Sequence, residues 1–171
     1  MKPAYASYVC GAVRIRTLTE ADLRETLEWR NRNGVRQNFK HSAALEWNQH
    51  HAWFLSYRDK PDDIIFIAEH VASGKKVGQV AIYSIDYAGG RAEIGRFVAA
   101  PAFQGKGLMR EAITGLMGFA KQELRLNSLY LEVIETNERA YQLYSKLGFN
   151  EVERKDGLIF MERSLNGDVQ Q

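Results

Sequence analysis

Two glycines sit at the joint between a strand-like run and an amphipathic helix, in Phe103-Gln104-Gly105-Lys106-Gly107-Leu108-Met109-Arg110. A helix start leaves its first backbone N–H groups without partners, and the aligned peptide dipoles add partial positive charge there. Glycine lets the chain turn tightly and brings bare backbone up to a ligand. Such a turn suits a phosphate or pyrophosphate. Two familiar phosphate patterns fail on it. A Walker loop ending in Gly105-Lys106 needs glycine where Ala100 stands and Ser or Thr where Gly107 stands. A dinucleotide fingerprint needs a third glycine where Arg110 stands. Neither nucleotide hydrolysis nor hydride transfer is supported. No two of His41, His50, His51 and His70 stand at a metal-ligand spacing, and His51 falls on an apolar helical face, so no metal is expected.

A scaffold for that turn is well within reach of the chain. Its 171 residues fit one domain large enough to bury a core, with residues 1–12 and 166–171 expected to be loose. Hydrophobic residues make up 45% and charged residues 26%, values of a globular rather than a disordered chain. A formal net charge of +2 falls far short of a nucleic-acid binder, though it favours an anionic small ligand locally. The single cysteine, Cys10, excludes an internal disulfide framework and a cysteine-based zinc cluster. No run approaches the roughly 20 apolar residues of a membrane span, and the first twelve residues lack the apolar core of a signal peptide. These properties predict a soluble cytoplasmic protein without a membrane or nucleic-acid partner.

Periodicity supplies the elements. Val13 to Thr17 alternates as a strand. Thr19 and Asp22 read as a capping box for a helix carrying Leu23 and Leu27, stopped at Asn33-Gly34. Ser42 reads as the cap of a second helix with Trp47, His51, Phe54 and Leu55 at helical spacing. Ile64 to Ala68, Val77 to Ile85 and Glu93 to Ala99 are strands, the first two joined by a hairpin at Ser73-Gly74-Lys75-Lys76. Leu108, Ala112, Leu116, Met117, Ala120 and Leu124 make a helical stripe. Gly115 and Gly118 interrupt it at about 1 kcal/mol each, a cost that close packing of this helix would explain. A strand at Ser128 to Glu135, a helix through Ala140, Leu143, Tyr144 and Leu147 ended by Gly148, and two strands divided at Asp156-Gly157 complete the order. The expectation is a mixed α/β fold, β-α-α-β-β-β-α-β-α-β-β, with helices on both faces of one twisted sheet of about six to seven strands.

Gln104-Gly105-Lys106-Gly107 after a strand resembles the pyrophosphate loop of the GNAT superfamily of N-acetyltransferases, which use acetyl-coenzyme A. Asn137-Glu138-Arg139-Ala140-Tyr141-Gln142-Leu143-Tyr144-Ser145-Lys146-Leu147-Gly148-Phe149 is similar to a second segment of the same superfamily, in the right order and at the expected distance. The two motifs cover mainly Arg91 to Phe149. Met109 departs from the pattern, since the family usually has glycine or alanine there. The resemblance implies a GNAT fold and a division of labour. Amides from Gln104 to Arg110, spanning Gly105, Lys106, Gly107, Leu108 and Met109, would hold the pyrophosphate. Lys106 and Arg110 would add charge or simply remain solvated. Backbone groups of Phe97 and Val98 would pair with the pantetheine arm and polarise the thioester, and Asn137 would bond the same arm. Tyr144 would protonate the departing thiolate. On spacing alone Tyr144 is a core residue; the motif makes it an acid. Glu93 matches a position where some members carry a glutamate base, the alternative being a structural carboxylate paired with Arg91 or Arg96. The histidines are alternative bases.

Glu28-Trp29-Arg30-Asn31, followed by Val35-Arg36, resembles a helix of acetyltransferases acting on amino groups of nucleotide-linked sugars. The resemblance implies that Arg30 and Arg36 bind diphosphate and that Trp29 or Trp47 offers an aromatic face, with Asn31 nearby. Core packing of Trp29 is the alternative. Ribosomal-protein N-terminal acetyltransferases have similar helices, so a protein α-amine, or another small amine, is the alternative acceptor. A non-catalytic acyl-CoA sensor is the competing function, which Tyr144 argues against. The superfamily also implies a homodimer through sheet edges or C-terminal strands.

Overall fold

Ile64-Ile65-Phe66-Ile67-Ala68 is buried along its whole length, as befits a strand covered on both faces. The structure, a computed structural model, describes residues 2–32, 34–38 and 42–166. The strands are β1 (Tyr8–Cys10), β2 (Val13–Thr17), β3 (Asp63–His70), β4 (Lys76–Asp86), β5 (Arg91–Ala99), β6 (Ser128–Ile134), β7 (Asn150–Lys155) and β8 (Leu158–Ser164). The α-helices are α1 (Leu23–Asn31), α2 (Trp47–Tyr57), α3 (Leu108–Gln122) and α4 (Glu138–Lys146). The strands form one sheet in the order β1-β2-β3-β4-β5-β6-β8-β7. Every neighbouring pair is antiparallel except β5–β6, which is parallel.

Side-chain alternation sorts the core onto two faces. Ile64, Phe66 and Ala68 meet Ile113, Leu116 and Phe119 of α3. Ile65 and Ile67 meet Leu23, Trp29 and Phe54 of α1 and α2 on the other face. Each such side chain, fully buried, contributes about 1.5–3 kcal/mol relative to exposure. α4 lies against the α3 face through Ala140, Leu143 and Tyr144. None of the described helices is long and apolar enough to cross a membrane.

The order of elements follows the expectation, with one strand added at the start. β1 lies in the segment expected to be loose, and it brings the sheet to eight strands. The two glycines of α3 receive it. A Cβ on Gly115 would stand 3.3 Å from the Cys10 Cβ, and one on Gly118 would stand 2.6 Å from the Tyr8 hydroxyl. Their propensity cost is the condition for a close strand–helix approach.

Thr19 and Asp22 do close a capping box, the Thr19 N–H donating to Asp22 Oδ2 at 2.8 Å, but it opens on a 3-10 turn, Glu20–Asp22, that leads into α1. The second helix starts later than Ser42. Glu46 and Gln49 form a reciprocal box in front of Trp47, the Glu46 N–H donating to Gln49 Oε1 at 2.9 Å. Ahead of it, the Asn31 amide holds Leu45 by two bonds of 2.8 Å, so this stretch docks on α1 before it turns helical. α1 ends at Asn31, and Asn33 lies outside the described residues.

Candidate active site

β5 and β6 pair only through Arg91–Glu93 with Ser128–Tyr130, and then part. A bulge bends β5 at this point. Gln79 pairs with Val98 and Ala81 with Gly95, so Arg96 and Phe97 together oppose Val80 alone. Arg96 takes a left-handed φ of +54°, and the Gln79 side-chain amide donates to the Arg96 carbonyl at 3.0 Å. The parting opens a cavity of about 930 Å³. Glu93, Phe97 and Val98 line one lip, Leu131, Glu132 and Val133 the other, and Gln104, Asn137, Ala140 and Tyr144 the helical side.

The opening runs between the two faces of the sheet. Ala92 and Ile94 belong to the α3 face, so Glu93 points to the α1–α2 face, with Tyr83 beside it. Tyr144 packs on the α3 face, its ring 5.8 Å from that of Phe97. Two ligands on opposite faces of the sheet can therefore touch through the gap.

On the α3 side, Gly105 and Gly107 both have φ +75°, and Gly107 caps α3 in the left-handed region. Nothing lies within 4 Å of a Cβ built on Gly107. Backbone conformation, rather than space, requires glycine there. Gly105, Lys106, Gly107 and Arg110 are exposed, so the start of α3 faces solvent, and of this loop only Gln104 lines the cavity. Leu108 packs against the core, and Met109 turns to the sheet with it. The Met109 sulfur lies 2.8 Å from where a Cβ on Gly78 would stand, so Gly78 makes the room that Met109 needs. The departure from the family pattern is thus taken up beneath the loop.

Asn137 caps α4, its Oδ1 accepting from the Ala140 N–H at 3.3 Å, and the residue also lines the cavity. Burial pushes the Tyr144 phenol above its ordinary pKa. It keeps its proton at neutral pH.

On the α1–α2 side, the Tyr83 hydroxyl donates to Glu93 Oε2 at 3.1 Å. The two arginines considered as partners of Glu93 are engaged by other carboxylates. Arg96 Nη1 bonds both oxygens of Asp63, at 3.0 and 3.2 Å, and its guanidinium lies 4.0 Å from the centre of the Tyr83 ring. Arg91 reaches Glu162 at 3.7 Å and stacks on Tyr130 at 4.1 Å. Tyr83 and Glu132 line the cavity, and sequence reasoning missed both. Only the pairing of β6 beside β5 shows that Glu132, two residues beyond Tyr130, shares the face of Glu93.

The acceptor residues expected from the sequence are mostly elsewhere. Trp29 is 6% exposed and packs in the core with Leu23 and Phe54, because its helical spacing turns it to the sheet. Trp47 stacks on His51 at 5.5 Å and under Arg24 at 4.3 Å, away from the cavity. Asn31 is taken up by Leu45, and Arg36 Nη1 donates to the Ser42 carbonyl at 3.3 Å. Of the five residues only Arg30 lines the cavity, and it donates to the Ala43 carbonyl at 3.1 Å. The expected pair of arginines does not converge.

The described histidines have partners away from the cavity. His50 Nε2 lies 3.2 Å from Thr26 Oγ1, and burial, aided by Arg30, lowers its pKa. His51 sits 2.8 Å from Glu20, and His70 sits 2.8 Å from Ser73 Oγ. None of the three lines the cavity, and His41 lies outside the described residues. Among the described residues no group of three His, Cys, Asp or Glu could hold a metal ion.

Known proteins share this architecture. The chain is 35% identical over 102 residues to spermidine N(1)-acetyltransferase of Escherichia coli (strain K12), across 60% of this chain and 51% of the relative. It therefore spans about half the length of the curated relatives it matches. The spermidine N-acetyltransferase of Vibrio cholerae, solved with CoA and spermine, superposes with a TM-score of 0.83 at 22% identity, over 91% of this chain and 96% of that one. Apo FdhC, a nucleotide-linked sugar GNAT, gives the same TM-score of 0.83 at 15% identity, over 94% and 91%. Both likenesses are of fold. Residues 12–150 match the model of the acetyltransferase (GNAT) domain, and the chain belongs to that family.

Proposed function

We propose that this chain transfers acetyl from acetyl-coenzyme A to a primary amine of a small cationic molecule. The gap between β5 and β6 carries the reading, because it brings Tyr144 from one face and Glu93 from the other to a single cavity. Amides at the start of α3, from Gln104 to Arg110, hold the pyrophosphate, and the lip at Phe97 and Val98 pairs with the pantetheine arm. The Asn137 amide nitrogen bonds the same arm. An N–H of the lip polarises the thioester carbonyl. The acceptor must attack as a neutral amine, so Glu93 takes its proton. The nitrogen lone pair adds to the carbonyl carbon, the C–S bond of the tetrahedral intermediate breaks, and Tyr144 supplies a proton to the sulfur, while the surplus proton on the amide nitrogen leaves through solvent and the phenolate regains one from there.

Two carboxylates, Glu93 and Glu132, with the phenol of Tyr83 favour a cationic acceptor. Relatives named for spermidine support the same class. An amino sugar linked to a nucleotide is the second reading, favoured by Arg30 in the cavity and weakened by the places of Trp29 and Arg36. A mass-spectrometric turnover assay with acetyl-coenzyme A decides between them. The panel holds spermidine, 1,4-diaminobutane, a nucleotide-linked amino sugar and amino-terminal peptides. Acetylated polyamine is the expected product. Acetylated sugar or peptide alone replaces the acceptor class, and coenzyme binding without transfer to any amine replaces the enzyme with a sensor.

A further inference from the structure

A carboxylate on a strand beside an open gap has rotamers to lose, and a base needs one of them. Tyr83 stands directly opposite Glu93 in the β4–β5 register. Its hydroxyl donates to Glu93 Oε2 at 3.1 Å. Tyr83 is itself fixed on two sides. The Arg96 guanidinium lies over its ring at 4.0 Å, and Arg96 is anchored by the two bonds to Asp63, which is only 6% exposed. A Cβ on Gly95 would run into the Tyr83 hydroxyl, so the absence of a side chain at 95 admits this placement. The left-handed Arg96, an uncommon conformation for a residue with a side chain, is what aims its guanidinium back over β4. Arg96, Asp63 and Gly95 thus fix the hydroxyl that bonds this carboxylate oxygen.

We propose that Tyr83 is the positioning residue of Glu93, held in place by the Arg96–Asp63 pair and admitted by Gly95. The inference rests on Glu93 as the base. Tyr83 acts through Glu93 by fixing its rotamer and by stabilising its charged form through a hydrogen bond. Among the described residues, the ionisable groups around Glu93 are Tyr83 from β4, Arg91 and Arg96 from its own strand, and Tyr130 and Glu132 from β6, with Arg30 of α1 lining the same cavity. Glu132 opposes the charge on Glu93 and the arginines favour it. Removing the Tyr83 hydroxyl subtracts a favourable contact and leaves the others in place.

The test is a ¹³C NMR titration of the Glu93 carboxyl in the full chain labelled with ¹³C-glutamate, its signal assigned by its loss in Glu93→Gln. Tyr83→Phe should raise the midpoint by about one pH unit, the order expected when a charged acceptor loses one hydrogen bond. Gly95→Ala, which displaces the hydroxyl without removing it, should raise the midpoint too. A midpoint that stays put in both variants overturns the proposal. Turnover of acetyl-coenzyme A with spermidine then separates this inference from the reading beneath it. Tyr83→Phe should move the acidic limb of the kcat/KM profile upward, and the Tyr83→Phe, Glu93→Gln double variant should be no slower than Glu93→Gln alone. A Glu93→Gln enzyme with an unaltered pH profile overturns the base assignment, whatever the titration shows.

Discussion

The Tyr144 side chain answers to two demands at once. Its ring packs against Phe97 and the α3-side core, as its place beside Ala140, Leu143 and Leu147 requires, while the same residue borders the cavity. Helical spacing read only the first demand; the motif from Asn137 to Phe149 was needed to read the second. Tyr144→Phe keeps the ring and removes the proton. Turnover should fall about 10²-fold, within the usual range for a general acid. Acetyl-coenzyme A affinity, measured by calorimetry, should stay within about twofold, and unchanged turnover removes Tyr144 from the chemistry. Trp29 shows the converse. An aromatic residue in a helix is equally legible as core or as ligand platform, and only the docking of α1 on the sheet decides for core. Glu132 was illegible for a related reason. A carboxylate at an alternating strand position looks the same whether it faces bulk water or a cleft, until the neighbouring strand is known.

At the scale of elements, the starts of α2 and α3 differ in how openly the sequence writes them. The α3 start was legible because position 107 takes a left-handed φ that glycine adopts with less strain than other residues. Gly107→Ala meets no steric obstacle, so its whole cost is conformational. Urea denaturation should show a loss of about 1 kcal/mol, with Gly107→Asn recovering part of it because asparagine tolerates this conformation. Equal stability of the alanine variant with wild type would mean that the turn carries no strain. The α2 start was misread at Ser42, a better intrinsic cap than Glu46, because the docking of Leu45 on Asn31 is a contact between distant segments. β1 escaped altogether. Three residues carry no periodicity, and their place is written in the glycines of α3 rather than in their own types.

Across the whole molecule, Asp22 ties the first turn of the α1 region to the sheet. It is 1% exposed, accepts two bonds of 2.9 Å from Arg16 and lies 3.0 Å from Lys76. Burial alone would raise its pKa, but Arg16, the Thr19 N–H and Lys76 outweigh it and hold the carboxyl well below the usual range. A depressed folded pKa contributes stability that is full above the unfolded value of about 4 and is lost as pH falls below it. Asp22→Asn should cost about 2–4 kcal/mol at pH 7, somewhat less than a fully buried pair because both cations are about a quarter exposed. The gap from wild type should narrow at pH 3, as read by urea denaturation at the two pH values. A gap of the same size at both would assign the effect to packing rather than charge.

The parting of β5 from β6 has a mechanical side. Three residue pairs join five strands of the eight-stranded sheet to the remaining three, where β6 and β8 share seven. One core cluster packs strands from both sides of the parting against the same helix, and the missing rungs of the ladder open the cavity. An occupant that bonds both lips replaces those rungs and becomes part of the frame. Some of the free energy of association would then go into bracing the sheet, and the rigidity of the protein itself would record whether the gap is filled.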